Sequence, residues 1–279
     1  MQFRPLILMS ALTMFGGPMI LARLAAQNTN SEIISFAAPG AGTAAGSGSG
    51  TFPESINSAG AITGHYADAN SVNHGFLRTP RGNILRFDVS GAGTTAGSGT
   101  FPESINFAGA ITGHYTDANN VNHGFLRTPQ GDITTFDAPG ADTTIGSGNG
   151  TFPESINAAG AITGRYVDGN TVYHGFIRSP GGAFTTFDAP RSSSALDDGT
   201  FPASMNDTGV IIGRYVDRNT VCHGFLRSPG GRFVVFDAPG SSSALDDGTF
   251  PRSINSKGAI TGNYSVADKE VNLGFLRSP

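Results

Sequence analysis

The sequence predicts an all-β fold, a five-bladed β-propeller of four-stranded blades, and three observations carry that expectation. A phrase opening Thr-Phe-Pro recurs at Thr51, Thr100, Thr151, Thr200 and Thr249, with spacings of 49, 51, 49 and 49 residues. Each copy divides at turn residues into four short segments of strand character, which suits one propeller blade and not a pair of packed helices. The first three segments occur five times, ending at Pro279, and a fifth version of the fourth segment stands before the first copy.

The first repeat shows how the strands are read. Its first strand centres on Glu54-Ser55-Ile56 and stops at Asn57-Ser58-Ala59-Gly60, with Asn and Gly at the turn positions they favour. The second runs from Ala61 to Tyr66 and ends at Asp68-Ala69-Asn70. The third spans Val72 to Thr79 and is stopped by Pro80-Arg81-Gly82; the fourth is Ile84 to Phe87, followed by a Gly-rich connection. Val72 and Phe76 fall on one face of the third strand and Leu77 on the other, so both faces are expected to be covered. Blades in a ring are covered in this way, each between two neighbours.

The last copy lacks its fourth strand. "EIISFAAPG", ahead of the first Thr-Phe-Pro, matches "ILRFDVSG", "ITTFDAPG", "FTTFDAPR" and "FVVFDAPG". The expectation is therefore that the N-terminal strand completes the C-terminal blade and closes the circle, leaving no terminal edge. The propeller takes residues 31–279.

Ahead of it, residues 1–26 read as an export signal: Arg4, an apolar stretch broken at Gly16-Gly17-Pro18, and Leu24-Ala25-Ala26 as small residues for cleavage. Residues 27–30 form a short linker, and the mature chain is expected to be secreted, extracellular or periplasmic, with no membrane span. A retained anchor is the rival reading. Charged residues are only 14% and the formal net charge is −4 with no basic cluster, which argues against nucleic acid. Cys222 is alone, so no internal disulfide supports the fold.

The sequence of "SIN", a following Gly, "ITG" and "HGFLR" resembles the HAF family of extracellular repeats, over about half of each repeat. Gly75 stands where that family usually has Ala, Arg78 where it often has Trp, and Leu273 replaces the His of the last copy. The resemblance implies a secreted repeat protein and brings no catalytic residues with it.

Long crossovers and the second-to-third-strand turns share one rim, where binding sites on rigid rings usually lie. The candidate ligand-binding residues there are Tyr66, Asp68, Asn70, Tyr115, Asp117, Asn119, Tyr166, Asp168, Asn170, Tyr215, Asp217, Asn219, Tyr264 and Asp268. Tyrosines in a ring can stack on sugar faces, although a packed Tyr with a wet hydroxyl explains the pattern more simply. Asp-x-Asn can hold calcium or hydroxyl groups, yet each turn offers few of the six or more oxygens that calcium takes, and a turn-forming role comes first. The Asp197-Asp198 and Asp246-Asp247 pairs improve the calcium case only locally. His74, His123, His174 and His223 are read as strand residues hydrogen-bonded within or between blades, without the short spacing of a metal site.

Glu54, Glu103 and Glu154 open three successive first strands, with Ala203 and Arg252 in the other two. A glycosidase needs two carboxyl groups in different environments. Near-identical repeats are expected to supply similar ones, so an enzyme is disfavoured, and no cofactor or metal is expected. The leading expectation is a non-catalytic propeller binding carbohydrate or cell-wall polymer through repeated rim sites, since a polymer spanning copied weak sites gains avidity. A protein-binding or adhesive scaffold is the alternative, and a glycoside hydrolase at the central channel the more distant one.

Overall fold

The computed structural model describes residues 33–43, 48–266 and 271–279. Among these there are nineteen strands and no helix. The export segment and linker expected over residues 1–30 lie outside the described residues. Ala37–Pro279 form one compact unit.

The first sheet comprises β1 (Gly50–Ile56), β2 (Ile62–Ala67), β3 (Asn73–Arg78) and β4 (Ile84–Phe87). The second comprises β5 (Gly99–Ile105), β6 (Ile111–Thr116), β7 (Asn122–Arg127) and β8 (Ile133–Phe136). The third comprises β9 (Thr151–Ile156), β10 (Ile162–Val167), β11 (Tyr173–Arg178) and β12 (Phe184–Phe187). The fourth comprises β13 (Thr200–Met205), β14 (Ile211–Val216), β15 (Cys222–Arg227) and β16 (Phe233–Phe236), and the fifth β17 (Thr249–Ile254), β18 (Ile260–Val266) and β19 (Val271–Arg277). Every sheet is an antiparallel meander in chain order. The four strands expected in each of the first four repeats are thus present; in the first repeat the second to fourth lie within one residue of their expected limits, and β1 begins at Gly50, ahead of the expected centre at 54–56.

Local chemistry sets the strand ends. Asn57 Oδ1 accepts the amides of Ala59 and Ala61, at 3.1 and 3.0 Å, and closes the first turn. Pro53, which has no amide to give a ladder, sits where the β1–β2 register shifts between Pro53 and Ser55. The third turn closes with the Gly82 amide on the Thr79 carbonyl, at 2.9 Å.

Sheets stack face to face. Val89, Ile105, Ile111, Tyr115 and Phe125 form one buried cluster against Leu77 and Phe87 of the first sheet, and equivalent clusters join the later sheets. Phe76, Phe125, Phe176 and Phe225 are wholly buried, each worth about 1.5–3 kcal/mol relative to exposure. Polar links cross the same interfaces. Asn57 Nδ2 donates to the Asn106 carbonyl at 2.9 Å, and Asn106 Nδ2 to that of Asn157 at 3.0 Å. The Ile105 amide reaches Ser55 Oγ at 3.3 Å. The recurrent Ser-Ile-Asn is therefore a joint: Ser and Asn bond to the next sheet, while the middle side chain, exposed at Ile56, is buried at Ile105, Ile156, Met205 and Ile254.

The main chains of successive sheets also touch. Asn73 pairs in parallel with Gly99, and Asn122 with Gly150, Tyr173 with Gly199 and Cys222 with Gly248 repeat the contact. A Cβ on any of these glycines would stand 1.9–2.0 Å from the facing carbonyl oxygen, and their φ angles are +124° to +130°. Only glycine fits.

The fifth sheet departs from the expectation. It has three strands, and β19 is its edge. Residues 33–38, expected as its fourth strand, form no strand. In sheets one to four the fourth strand follows the third across a short turn, whereas in the fifth it would have to come from the far end of the chain. Leu273 and Leu276 on β19 are correspondingly exposed.

Gly99→Ala should cost at least about 2 kcal/mol, from a main-chain collision added to backbone strain. Gly169→Ala, at a glycine with open space and no positive φ, should be near neutral. Urea unfolding of the two variants beside the parent checks this, and equal midpoints would contradict it.

Candidate functional site

The rim turns place the predicted residues in a repeated group. Asp68 Oδ1 accepts the amides of Asn70 and Val72, at 2.8 and 2.9 Å, and so forms the turn before Ser71, whose φ is +60°. Asp117, Asp168 and Asp217 do the same for Asn119, Asn170 and Asn219 and the valines beyond. The Asn side chains are exposed at the turn tips. Asp268 lies outside the described residues.

The second oxygen of each Asp faces a histidine. His74 sits with Nδ1 on Asp88 at 3.0 Å and Nε2 3.7 Å from Asp68 Oδ2. The pattern repeats at His123 with Asp137 and Asp117, His174 with Asp188 and Asp168, and His223 with Asp237 and Asp217. The bond from Asp188 is the chief cause raising His174 above the ordinary imidazole range. The Val72 amide is the first cause holding Asp68 below the ordinary carboxylate range. In Asp117, Asp168 and Asp217 burial opposes that lowering, and bonds from the turn amides and the facing histidine outweigh it. The sequence pointed to the histidines but not to their aspartate partners, fourteen residues on and just past the end of the fourth strand.

Tyr66, Tyr115, Tyr166 and Tyr215 are buried and stack on these histidines with ring centroids 4.9–5.1 Å apart. Tyr264 is half-buried, and the residue facing it is Leu273. The tyrosines are thus packed rings, and their edges still reach open clefts. One cleft of about 670 Å³ is lined by Tyr66, Asp68, His74, Arg86 and Asp88, and one of about 620 Å³ by Tyr215, Asp217, Asn219, His223, Asp237 and Arg191. Among the described residues, no group of three His, Cys, Asp or Glu side chains is arranged to hold a metal ion. No helix among them is long and apolar enough to cross a membrane.

A second set lies along the first strands. Phe52 stacks on His65 at 4.9 Å, His65 meets Phe101 at 5.4 Å, and Phe101 stacks on His114 at 4.8 Å, followed by Phe152 at 5.3 Å. Arg165 then covers Phe152 at 5.0 Å and Arg214 covers Phe201 at 4.4 Å. Rings and bases alternate from sheet to sheet. Glu54 lies 3.8 Å from His65, Glu103 lies 3.6 Å from His114, and Glu154 is paired with Arg165.

The expectation that these glutamates share one environment is not met. Burial, and then repulsion from Glu154 and Glu54, push Glu103 up to about 8. Burial, and then the charges of Arg165 and His65, push His114 down to about 3. Burial raises Glu54 as well, and in Glu154 it outweighs the pull of Arg165. The difference comes from position in the row, which the repeated motif alone does not reveal. Compared with known proteins, the chain matches no family model and no curated protein.

Glu103 gives a sign-definite pH dependence. Its folded value of about 8 exceeds the ordinary 4.5, so the unfolded chain ionises first and stability drains as pH rises between those values. In Glu103→Gln this loss is absent, so the variant's advantage over the parent should grow from pH 4.5 to 8 and level off above. Urea midpoints across that range measure it; parallel pH curves would contradict the assignment.

Proposed function

We propose that this chain is an exported, non-catalytic repeat protein that binds carbohydrate or cell-wall polymer through its rim clefts. One observation carries the reading. The same Tyr, His and two Asp occur in four successive sheets, and in the first and fourth they line open clefts. Carboxyl oxygens and the edge of a fixed aromatic ring suit a ligand rich in hydroxyl groups. Repetition suits a polymer, because each further contact along one strand is made at high effective concentration.

The first-strand glutamates support binding over hydrolysis. Burial raises Glu54, Glu103 and Glu154 alike, so no two of them are pushed in opposite directions as the acid and the ionised partner of a glycosidase are. The HAF-type motif fits the same picture of an extracellular repeat.

The architecture we infer is a five-bladed ring in which residues 33–36 complete the fifth sheet. A paired substitution supports it. Sheets one to four each pair a third-strand His with the Asp that follows the fourth strand. In the fifth repeat Leu273 replaces the His, and Ala37, aligned with Asp88, replaces the Asp. Among the described residues no aromatic atom lies near a would-be Cβ of Gly274, where Gly75, Gly124, Gly175 and Gly224 each meet a fourth-strand Phe within 3 Å. Phe36 is the residue in register to fill it. The Ala38 amide already bonds Thr51 Oγ1 at 2.9 Å, as Val89 bonds Thr100 at 3.0 Å.

Binding of the chain from Gln27 onward to an array of glycans and cell-wall polymers tests the function. Selective binding that free sugar displaces is expected. Asp88→Asn with Asp237→Asn should weaken it roughly ten- to a hundredfold, the scale of charged hydrogen bonds lost at two sites. Silence across the array, or full binding by the double variant, would overturn the reading.

A further inference from the structure

The facing pair on the first and second strands changes in order along the chain. It is Glu54 with His65, Glu103 with His114, Glu154 with Arg165, Ala203 with Arg214, and Arg252 with Asn263. In the first three sheets a carboxylate faces a base. In the fourth the base remains and the carboxylate is gone. In the fifth the first-strand position is itself cationic.

Among the described residues, Arg214 is thereby left without an ion pair. Its guanidinium lies over Phe201 at 4.4 Å and 5.7 Å from Phe250. Its Nε is buried with no hydrogen-bond partner, and the Cys222 thiol is its polar neighbour. Burial, with repulsion from Arg165 and Arg252, lowers its pKa. Those two arginines line the same cleft of about 400 Å³, with Glu154, Tyr173 and Phe201. Three cations face one carboxylate, Glu154, which is paired with Arg165 and also feels the charge of Arg214, so the cleft keeps an excess of positive charge. Its volume falls within the range of small-molecule sites.

We propose that this cleft binds a carboxylate-bearing ligand, whose carboxylate takes beside Arg214 the place that a glutamate side chain holds in the three preceding sheets. The template lies within the molecule: Glu154 on Arg165 is the same arrangement one sheet earlier. Arginine's planar fork matches a carboxylate. Glu154 on the cleft wall disfavours a dianion such as phosphate, and the rings of Tyr173 and Phe201 offer apolar sides to an organic body. The proposal does not depend on sugar binding at the rim.

The test is an NMR titration following the Arg214 Nε–Hε signal, with D-galacturonate as probe, D-galactose as its neutral counterpart and inorganic phosphate as the rival anion. Galacturonate is expected to shift the signal saturably, and galactose to leave it in place. Ala203→Glu, which restores the internal carboxylate, should weaken galacturonate binding at least tenfold. Arg214→Gln, read through ligand resonances, should do the same and decides the matter if Ala203→Glu does not fold. No saturable shift, an equal response to galactose, phosphate binding as tight as galacturonate, or undiminished binding by folded variants would each overturn the proposal.

Discussion

Everything in this molecule hangs on one main-chain contact between neighbouring sheets. The start of each third strand touches the start of the next first strand, at Gly99, Gly150, Gly199 and Gly248. With no Cβ at these points, the backbones approach more closely than any other residue allows, and the positive φ turns the chain out of its crossover into the new sheet. That contact fixes the step from sheet to sheet. The Phe, Ile and Val side chains then fill a gap of constant width, and the Asn57-type and Ser55-type bonds fall into place across it. A repeat protein of this kind draws its stability from interfaces more than from isolated units.

A constant step has a chemical consequence. Equivalent residues lie at equivalent places, so one substitution changes the local chemistry without moving the frame. Along the rim the frame carries the same Tyr, His and Asp group four times. Along the first strands it carries a drift, from Glu facing His to Arg without Glu. There the environment of each group depends on its neighbours in the row: Glu103, flanked by two other glutamates, is driven far from the ordinary carboxylate range, although its own motif is the same as that of Glu54. Identical motifs do not have identical electrostatics when charges on adjacent sheets interact through low-dielectric packing.

This separates what was legible in the sequence from what was not. Strand positions were legible because turns are written in local chemistry: the side-chain oxygens of Asn57, Asp68 and Thr79 accept amides two to four residues away. Burial of both strand faces was legible from Val72, Phe76 and Leu77. The bonds of His74 to Asp88 and the stacking of Tyr66 were not, since they depend on strands three and four being registered and on a ring lying flat across a ladder. The first-strand drift was half legible. Ala203 and Arg252 stood out against the glutamates, but Arg165 and Arg214 carry meaning only once the second strand is seen to lie against the first. Closure was read from a count of segments, whereas β19 is an edge of a three-stranded sheet, since a count carries no information on register or pairing.

Cross-linking the expected register tests the central claim, that the sheets follow one constant step round to a closed ring. Leu77 faces Leu85 across β3 and β4, so Ile34 should face Leu276. In a Cys222→Ser background, Ile34→Cys with Leu276→Cys brings two thiols within the span of a disulfide if the strand is in place. The account predicts rapid, complete cross-linking within a monomer on mild oxidation, with a raised melting temperature. Persistently free thiols, or cross-links only between chains, would contradict it.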